Sequence, residues 1–407
     1  MSLCLSQNGW LLFASCGVRS LAYGFLSVIL GLYLDAIGLS PTEIGWIFTA
    51  ALAGGAVMTI VISAIADSFG RRTLLIAGAL LMALAGIVFA VSDNFVFLTC
   101  AAIFGTISPS GKEVGPFLSL EQAILPQTTT NQNRTTVFSV YNLVGSFASA
   151  IGALAVGLPS LLSLTVLSGY RFLIWGYVGS AVLLVVLFAL LSPAVEATKK
   201  RKPAAGKAGL EKSRGIVAKL AGLFALDAFA GAFIVQSIVA YWFFLRYKSD
   251  LNALAGIFFG TNVFAALSFL AAPAIARRFG LLNTMVFTHL PSNFLILLVP
   301  FMPTVESATA ILLLRYALSQ MDVPTRQSYT MAVVDADERA AAAGVLSVAR
   351  NAGAALAPLF TGVVLARPSL GLPFLLAGGI KIVYDLWIFV VFRHVKPPEE
   401  RDPVRAS

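Results

Sequence analysis

The run Phe95–Leu125, FVFLTCAAIFGTISPSGKEVGPFLSLEQAIL, is apolar over most of its length, yet Pro109, Gly111, Lys112, Glu113 and Glu121 fall inside it. About 20 helical residues span the hydrocarbon layer of a bilayer, so the run is long enough to cross one. A charged side chain at that depth costs roughly 2.5–3.5 kcal/mol on insertion scales, so such residues face protein or water rather than lipid. The core of the run, Ser108–Gln122, therefore reads as a membrane helix with a loosened backbone and charge directed at an interior.

The remainder of the chain has the same character. Of 407 residues, 58% are hydrophobic and 12% charged, with a mean hydropathy of +0.88; a soluble protein has about a quarter charged residues. Apolar spans fall near 10–34, 44–66, 73–91, 95–125, 135–158 and 171–191, and again near 217–245, 253–276, 281–300, 305–333, 339–366 and 371–394. The expected fold is an all-α polytopic membrane protein, with twelve transmembrane helices in two pseudo-symmetric six-helix bundles. The N-terminal bundle is 1–191, a basic cytoplasmic linker 192–216, the C-terminal bundle 217–394 and a cytoplasmic tail 395–407. The N-terminus has no basic n-region and reads as the first membrane helix, not a cleaved signal.

The net charge of +9 is explained by topology rather than by nucleic acid. With both termini inside, the cytoplasmic segments hold about eighteen Lys and Arg against about four outside, as the positive-inside rule requires. Cys4, Cys16 and Cys100 have no metal-type spacing, and His289 and His394 are too few for a metal cluster. No nucleotide-binding loop or catalytic triad pattern occurs, so the expectation is no enzyme, no cofactor and no metal.

The halves repeat each other. Ala64–Gly70 (AIADSFG) recurs as Ala274–Gly280 (AIARRFG), an offset of 210, and Leu12-Phe13-Ala14 recurs as Leu223-Phe224-Ala225, an offset of 211. Gln122 and Arg134 match Gln327 and Arg339 at 205, and Ser139-Val140 and Gly145 match Ser347-Val348 and Gly353 at 208. Repeated six-span halves are a transporter pattern, with the site near the midplane between them. Ser149, Ala153 and Gly157, and likewise Ala349, Gly353 and Ala357, form small-residue stripes that let helices approach closely.

These features resemble the major facilitator superfamily over essentially the whole chain. That family's loop motif after its second helix, Gly-x-x-x-Asp-Arg/Lys-x-Gly-Arg/Lys-Arg/Lys, is matched by Ser63–Arg72, SAIADSFGRR, with Ser63 and Ser68 departing from it. The resemblance implies that Asp67, Arg71 and Arg72 latch the cytoplasmic side; alternatively they are topology charges. The family's proton-driven drug exporters carry an arginine in helix 4 and a Gly-Pro end to helix 5. Here Lys112 stands in a different context, and Gly145–Gly152 has no proline.

The resemblance also implies that helices 1, 4, 7 and 10 line a central cavity. The buried charges of this sequence concentrate on those spans: Arg19; Lys112, Glu113 and Glu121; Asp227; Arg315, Asp322 and Arg326. Arg19, Lys112 and Arg315 are candidates to contact an anionic or strongly polar substrate, with Tyr23 and Gln236 lining the site. The alternative is neutralisation in place: Lys112 by Asp227, Arg315 by Asp322 and Arg19 by Glu113. Glu113, Asp227 and Asp322 are candidates for proton coupling, because moving a carboxylate between wet and dry surroundings changes its proton affinity. His289 reads as structural, and Lys381 with Asp385, four apart on one helix face, as a local pair.

The repeat sets Asp35 opposite Arg246 (offset 211) and Glu121 opposite Arg326 (offset 205), an expected outer and inner gating latch. The expected function is a secondary active transporter working by alternating access, ion- or proton-coupled, moving a small organic anion or polar metabolite. The alternatives are multidrug or lipophilic-compound efflux, and a non-transporting sensor or lipid-handling protein on the same scaffold. Its expected partners are a small-molecule substrate and the lipid bilayer, with no nucleic acid. It is expected as a monomer in the plasma (cell inner) membrane with both termini cytoplasmic.

Overall fold

The computed structural model describes residues 5–111, 116–128, 134–196, 210–335, 338–357, 360, 371–395 and 397. These fold into α1 (Gln7–Ala36), α2 (Pro41–Phe69), α3 (Arg71–Val91), α4 (Phe95–Phe104), α5 (Pro116–Ile124), α6 (Arg134–Ala155), α7 (Leu158–Leu161) and α8 (Val166–Ala189). The chain continues through α9 (Arg214–Ala232), α10 (Gln236–Tyr247), α11 (Leu251–Phe279), α12 (Leu281–Leu298), α13 (Val305–Ser319), α14 (Asp322–Val333), α15 (Arg339–Leu356) and α16 (Leu372–Phe392). There is no strand among the described residues. Nine segments among them are long and apolar enough to cross a membrane. Of the twelve expected spans, 95–125 and 305–333 are each divided between two shorter helices, and 339–366 lies partly outside the described residues.

Local chemistry sets the helix ends. Ser40 and Glu43 form a capping box at the start of α2, followed by Pro41 in the first turn, and Asn94 accepts from Val96 and Phe97 N–H at the start of α4. The sharp turns after α2 and α11 fall on Gly70 (φ +86°) and Gly280 (φ +85°), where a side chain would be strained. These are the two glycines that the 210-residue repeat matches, so the internal repeat is a repeat of backbone geometry.

Two compact units emerge. The first comprises α1–α8, α10 and the first residues of α11; the second comprises α9, the remainder of α11 and α12–α16. Residues 235–262, expected with the second bundle, thus group with the first. In the first unit α1 is buried along almost its whole length, as befits a helix apolar all round. In the second, Phe224, Tyr329, Tyr384 and Phe392 anchor the apolar core. On α16 the exposed residues Val383, Leu386, Trp387 and Val390 recur at helical spacing, while Lys381, Tyr384, Asp385 and Ile388 are buried on the other side. Such a stripe would be a liability in water and is a lipid face in a bilayer.

The 95–125 span breaks at Gly105, ahead of Pro109: α4 ends at Phe104, Thr106 takes φ +53° and Gly111 φ +68°. The 217–245 span is interrupted between Ala232 and Gln236. The breaks satisfy each other, since Ser237 N–H, an orphan donor of the first turn of α10, donates to the Pro109 carbonyl at 3.0 Å.

The small-residue stripes seat α6 on α1 and α15 on α9. A Cβ on Gly24 would overlap the Ser149 carbonyl, and one on Gly353 the Ala225 carbonyl. Replacing Gly353 by Val must push α15 off α9, an overpacking cost of about 1–3 kcal/mol. The expected outcome is a clearly lower Tm in detergent by tryptophan fluorescence; a Tm equal to wild type would contradict this packing.

Candidate functional site

Each unit contains its own buried charge cluster. In the first, Arg19 on α1 and Glu121 on α5 are both fully buried. They form a two-pronged pair, with Nη1 donating to Oε1 at 3.0 Å and Nη2 to Oε2 at 2.6 Å. Ser15 Oγ donates to Oε1 at 2.8 Å, Tyr141 on α6 donates its hydroxyl to Oε2, and the Arg19 guanidinium lies 4.9 Å from the Phe117 ring centre. With the charge paired and the lone pairs of Glu121 occupied, the burial is compensated.

In the second unit the polarity is reversed. Asp227 on α9 accepts from Arg326 Nη1 on α14 at 2.9 Å and from Lys381 Nζ on α16, and Arg350 Nη1 on α15 lies 3.5 Å away. Arg326 also contacts Asp322 at 3.1 Å, one turn back on its own helix, and stacks 5.3 Å over Phe224. Glu121 and Arg326 are the positions the 205-residue offset equates. Each half therefore joins its first span to its fourth through a guanidinium–carboxylate pair resting on a phenylalanine, with acid and base exchanged.

This arrangement corrects several expected pairings. Glu121 is held by Arg19, and Arg326 by Asp227 and Asp322, each within its own unit. Arg19 pairs with Glu121, while Glu113 lies outside the described residues, and Asp322 takes Arg326 instead of Arg315 among the described residues. Lys381 and Asp385 are not a local pair: Lys381 reaches Asp227, and Asp385 binds His289 Nδ1 at 2.8 Å and Asn293 Nδ2 at 2.7 Å on α12. In a tightly packed bundle, partners on facing helices compete successfully with a neighbour one turn away.

At the end of the first unit remote from the chain's N-terminus, Asp35 accepts the Tyr241 hydroxyl at 2.6 Å, while Arg246 lies exposed over Tyr247. The expected Asp35–Arg246 ion pair is absent among the described residues. Ser237 Oγ donates to the Ser27 carbonyl at 2.6 Å and Gln236 Nε2 to Ser27 Oγ at 3.0 Å, so Gln236 serves an α1–α10 seam. Tyr23 is fully buried between α1 and α8, its ring 6.5 Å from that of Tyr177.

Among the described residues, Arg315 on α13 stands apart from these pairs. It is 7% exposed, it stacks 4.8 Å from the Tyr316 ring, and its Nε has no hydrogen-bond partner. It has no carboxylate within 4 Å among the described residues. Lys112 and Glu113 lie outside the described residues, as does the side chain of Asp67 on the last turn of α2.

Two carboxylates missed in the sequence hold helix starts. Glu196 accepts from Arg71 N–H at 2.7 Å and Arg72 N–H at 3.2 Å, opening α3, and Arg72 also donates to the Ala189 carbonyl. Glu338 accepts from the N–H groups of Glu211, Lys212 and Ser213 at 2.7–2.9 Å, ahead of α9. The Lys212 and Ser213 N–H groups, above all, hold the Glu338 carboxyl down to about 2. The sequence signal was present but weak: acids at the edges of loops, with helix N-termini to complement. The ends of the expected linker are thereby tied to the two bundles.

Against known proteins, the model of the Major Facilitator Superfamily matches residues 12–321. An uncharacterised membrane protein of Saccharomyces cerevisiae is 28% identical over 424 residues, covering 96% of this chain and 95% of that protein. The arabinose–proton symporter of Bacillus subtilis is 29% identical over 192 residues, 45% of this chain and 40% of the symporter. The fold is similar to that of the crystal structure of a mutant of the nucleoside transporter NupG, with a TM-score of 0.77 at 14% identity over 95% of this chain and 100% of that one.

Removing one member of the first cluster isolates a buried charge. Glu121→Gln should cost roughly 3–5 kcal/mol and lower Tm sharply, whereas Arg19→Met with Glu121→Leu should recover most of the loss. Equal damage from single and double variants would contradict the pairing. For Glu338, a depressed folded value means stability that is present above the ordinary carboxylate range near 4.5 and lost as pH falls through about 2. Glu338→Gln should therefore lower Tm at neutral pH, with the gap to wild type closing as the pH is taken down that window; a pH-independent gap would refute it.

Proposed function

The chain belongs to the Major Facilitator Superfamily, a family of transporters, and on that premise we propose that it moves a small organic anion or other polar metabolite across a membrane by alternating access, coupled to an ion or proton gradient. The observation that carries the substrate class is Arg315. Buried charges are paired as a rule, and the other buried guanidiniums on the described spanning helices, Arg19 and Arg326, are already engaged with carboxylates. Arg315 is 7% exposed and lacks such a partner among the described residues. A carboxylate or phosphate group on a substrate completes it, through the two-pronged geometry that guanidinium favours. Lys112, on the repeat-equivalent span, is the proposed second cation.

Coupling rests on different grounds. The relative from Bacillus subtilis is by name a proton symporter, and carboxylates buried in spanning helices are the means by which a carrier binds protons. Asp227 has three basic side chains within 3.5 Å, on both of its carboxylate oxygens, and Asp322 shares Arg326. In this reading both set the shape of the second half, and Glu113 remains a coupling candidate. Asp67, Arg71 and Arg72 form the proposed cytoplasmic latch, and the α1–α10 seam through Gln236, Ser237, Tyr241 and Asp35 the outer gate. The positive-inside distribution supports cytoplasmic termini, and the proposed location is the plasma (cell inner) membrane.

A thermal-shift screen of the purified protein tests the substrate class. The panel comprises mono- and dicarboxylates, sugar phosphates, neutral sugars, nucleosides and lipophilic cations. At least one anion is expected to raise Tm, and Arg315→Gln to weaken its binding about 10- to 100-fold. Shifts from neutral or lipophilic cationic compounds alone, or anion shifts untouched by Arg315→Gln, would overturn the proposal.

A further inference from the structure

Four carboxylates are buried within the described spanning helices: Glu121, Asp227, Asp322 and Asp385. The first three touch a guanidinium or ammonium. Asp385, 1% exposed, is held instead by a neutral amide and an imidazole: Asn293 Nδ2 at 2.7 Å and His289 Nδ1 at 2.8 Å. His289 is itself 4% exposed. This places an imidazole, the side chain that titrates nearest neutrality, against a carboxylate inside a membrane protein.

We propose that His289 and Asp385 form a reversible proton-binding site in the second half, beside the Asp227 cluster and in electrostatic contact with it. Asn293 Nδ2 lies 3.2 Å from Nδ1 but donates at shorter range to Asp385 Oδ2; an ionised Asp385 can only accept, so in the proposed neutral form the hydrogen sits on Nδ1 and Nε2 keeps its lone pair. Nε2 takes up one proton from water, giving an imidazolium that still donates through Nδ1 to Asp385 Oδ1; release is the reverse. No bond other than N–H forms or breaks.

The surrounding charges make this proton consequential. On α16, Lys381 and Tyr384 stand beside Asp385, and Lys381 is committed to Asp227 on α9. Further groups are Asp322 and Arg326 on α14 and Arg350 on α15. Among the described residues the hydrogen-bond partners of the His289 and Asp385 side chains are each other and Asn293, so Glu306, Arg315 and Tyr316 on α13 do not bind them, and α12 has no other ionisable group. Asp227, Asp322 and Asp385 balance Arg326, Arg350 and Lys381 when the imidazole is neutral. One proton on His289 leaves the cluster with a positive charge, in the same unit as Arg315. Loading the proton then favours an anion at Arg315, and an anion favours the proton, by reciprocal linkage. That coupling rests on the anion-transport reading; the proton site does not.

The chain has two histidines, His289 and His394, which makes the test direct. Full-length His394→Gln protein, 15N-labelled at histidine and purified through a histidine-free tag into nanodiscs, reports His289 alone. The 15N signals should pass from a neutral to an imidazolium pattern within about pH 4–9. Asp385→Asn should alter the proton affinity at least ~10-fold or abolish the transition. Should Asp385→Asn not fold, Asn293→Ala, which keeps both titrating groups, must displace the midpoint. A pattern constant across that range, or a midpoint indifferent to both variants, overturns the proposal. Flux separates the two readings. If His289 titrates and no anion moves, the proton site stands and the transport reading falls. If anion flux is proton-driven and His289 does not titrate, the proton site falls and the transport reading stands.

Discussion

A charge inside a lipid-embedded bundle is tolerated only when an opposite charge and hydrogen bonds are buried with it. The chain meets that constraint twice with opposite polarity, Arg19–Glu121 in one half and Asp227–Arg326 in the other. Each joins the first span of its half to the fourth, so each half is held by its own charge pair and needs no cation from elsewhere. Aromatic faces, Phe117 and Phe224, close the remaining side of each guanidinium.

Once those groups are assigned, what is left over is informative. Arg315 has no carboxylate among the described residues, and Asp385 no cation in contact. In the proposed reading, one is a place for an anion to bind and the other, with His289, a place for a proton. Both lie in the second half. In the first unit the α1–α10 seam is built of hydroxyls, an amide and backbone carbonyls, with Asp35 meeting Tyr241 rather than a base. The uncharged hydrogen bonds among these contribute about 1 kcal/mol each and the one to the Asp35 carboxylate more; none requires separating a desolvated ion pair, which suits the proposed gate.

Much of this was legible in the sequence, and the boundary of legibility has a physical cause. Periodicity and apolar length revealed the spans, and the match of Gly70 with Gly280 revealed a repeated turn, because a turn at φ near +86° leaves few residue choices. The stripe through Ser149 and Gly353 announced close helix contact, because only small residues permit it. The partners of charges were not legible. Glu121 could have met any of several cations, and helix spacing alone made Lys381 and Asp385 look like neighbours when each faces a different helix. Pro109 and Gly111 marked a loosened backbone, proline being the more conspicuous breaker in a sequence, and the helix ends earlier, at Gly105. Glu196 and Glu338 escaped notice because the groups they bind are backbone N–H, which every sequence has.

The central claim is that this superfamily member carries an anion and couples its movement to protons. Proteoliposomes holding purified protein, given radiolabelled mono- and dicarboxylates with and without an inward proton gradient, test it most directly. The account predicts that at least one anion accumulates above its external concentration only while the gradient is present, and that a protonophore releases it. Accumulation of neutral or lipophilic cationic compounds in place of any anion, or anion flux indifferent to the gradient, would contradict it.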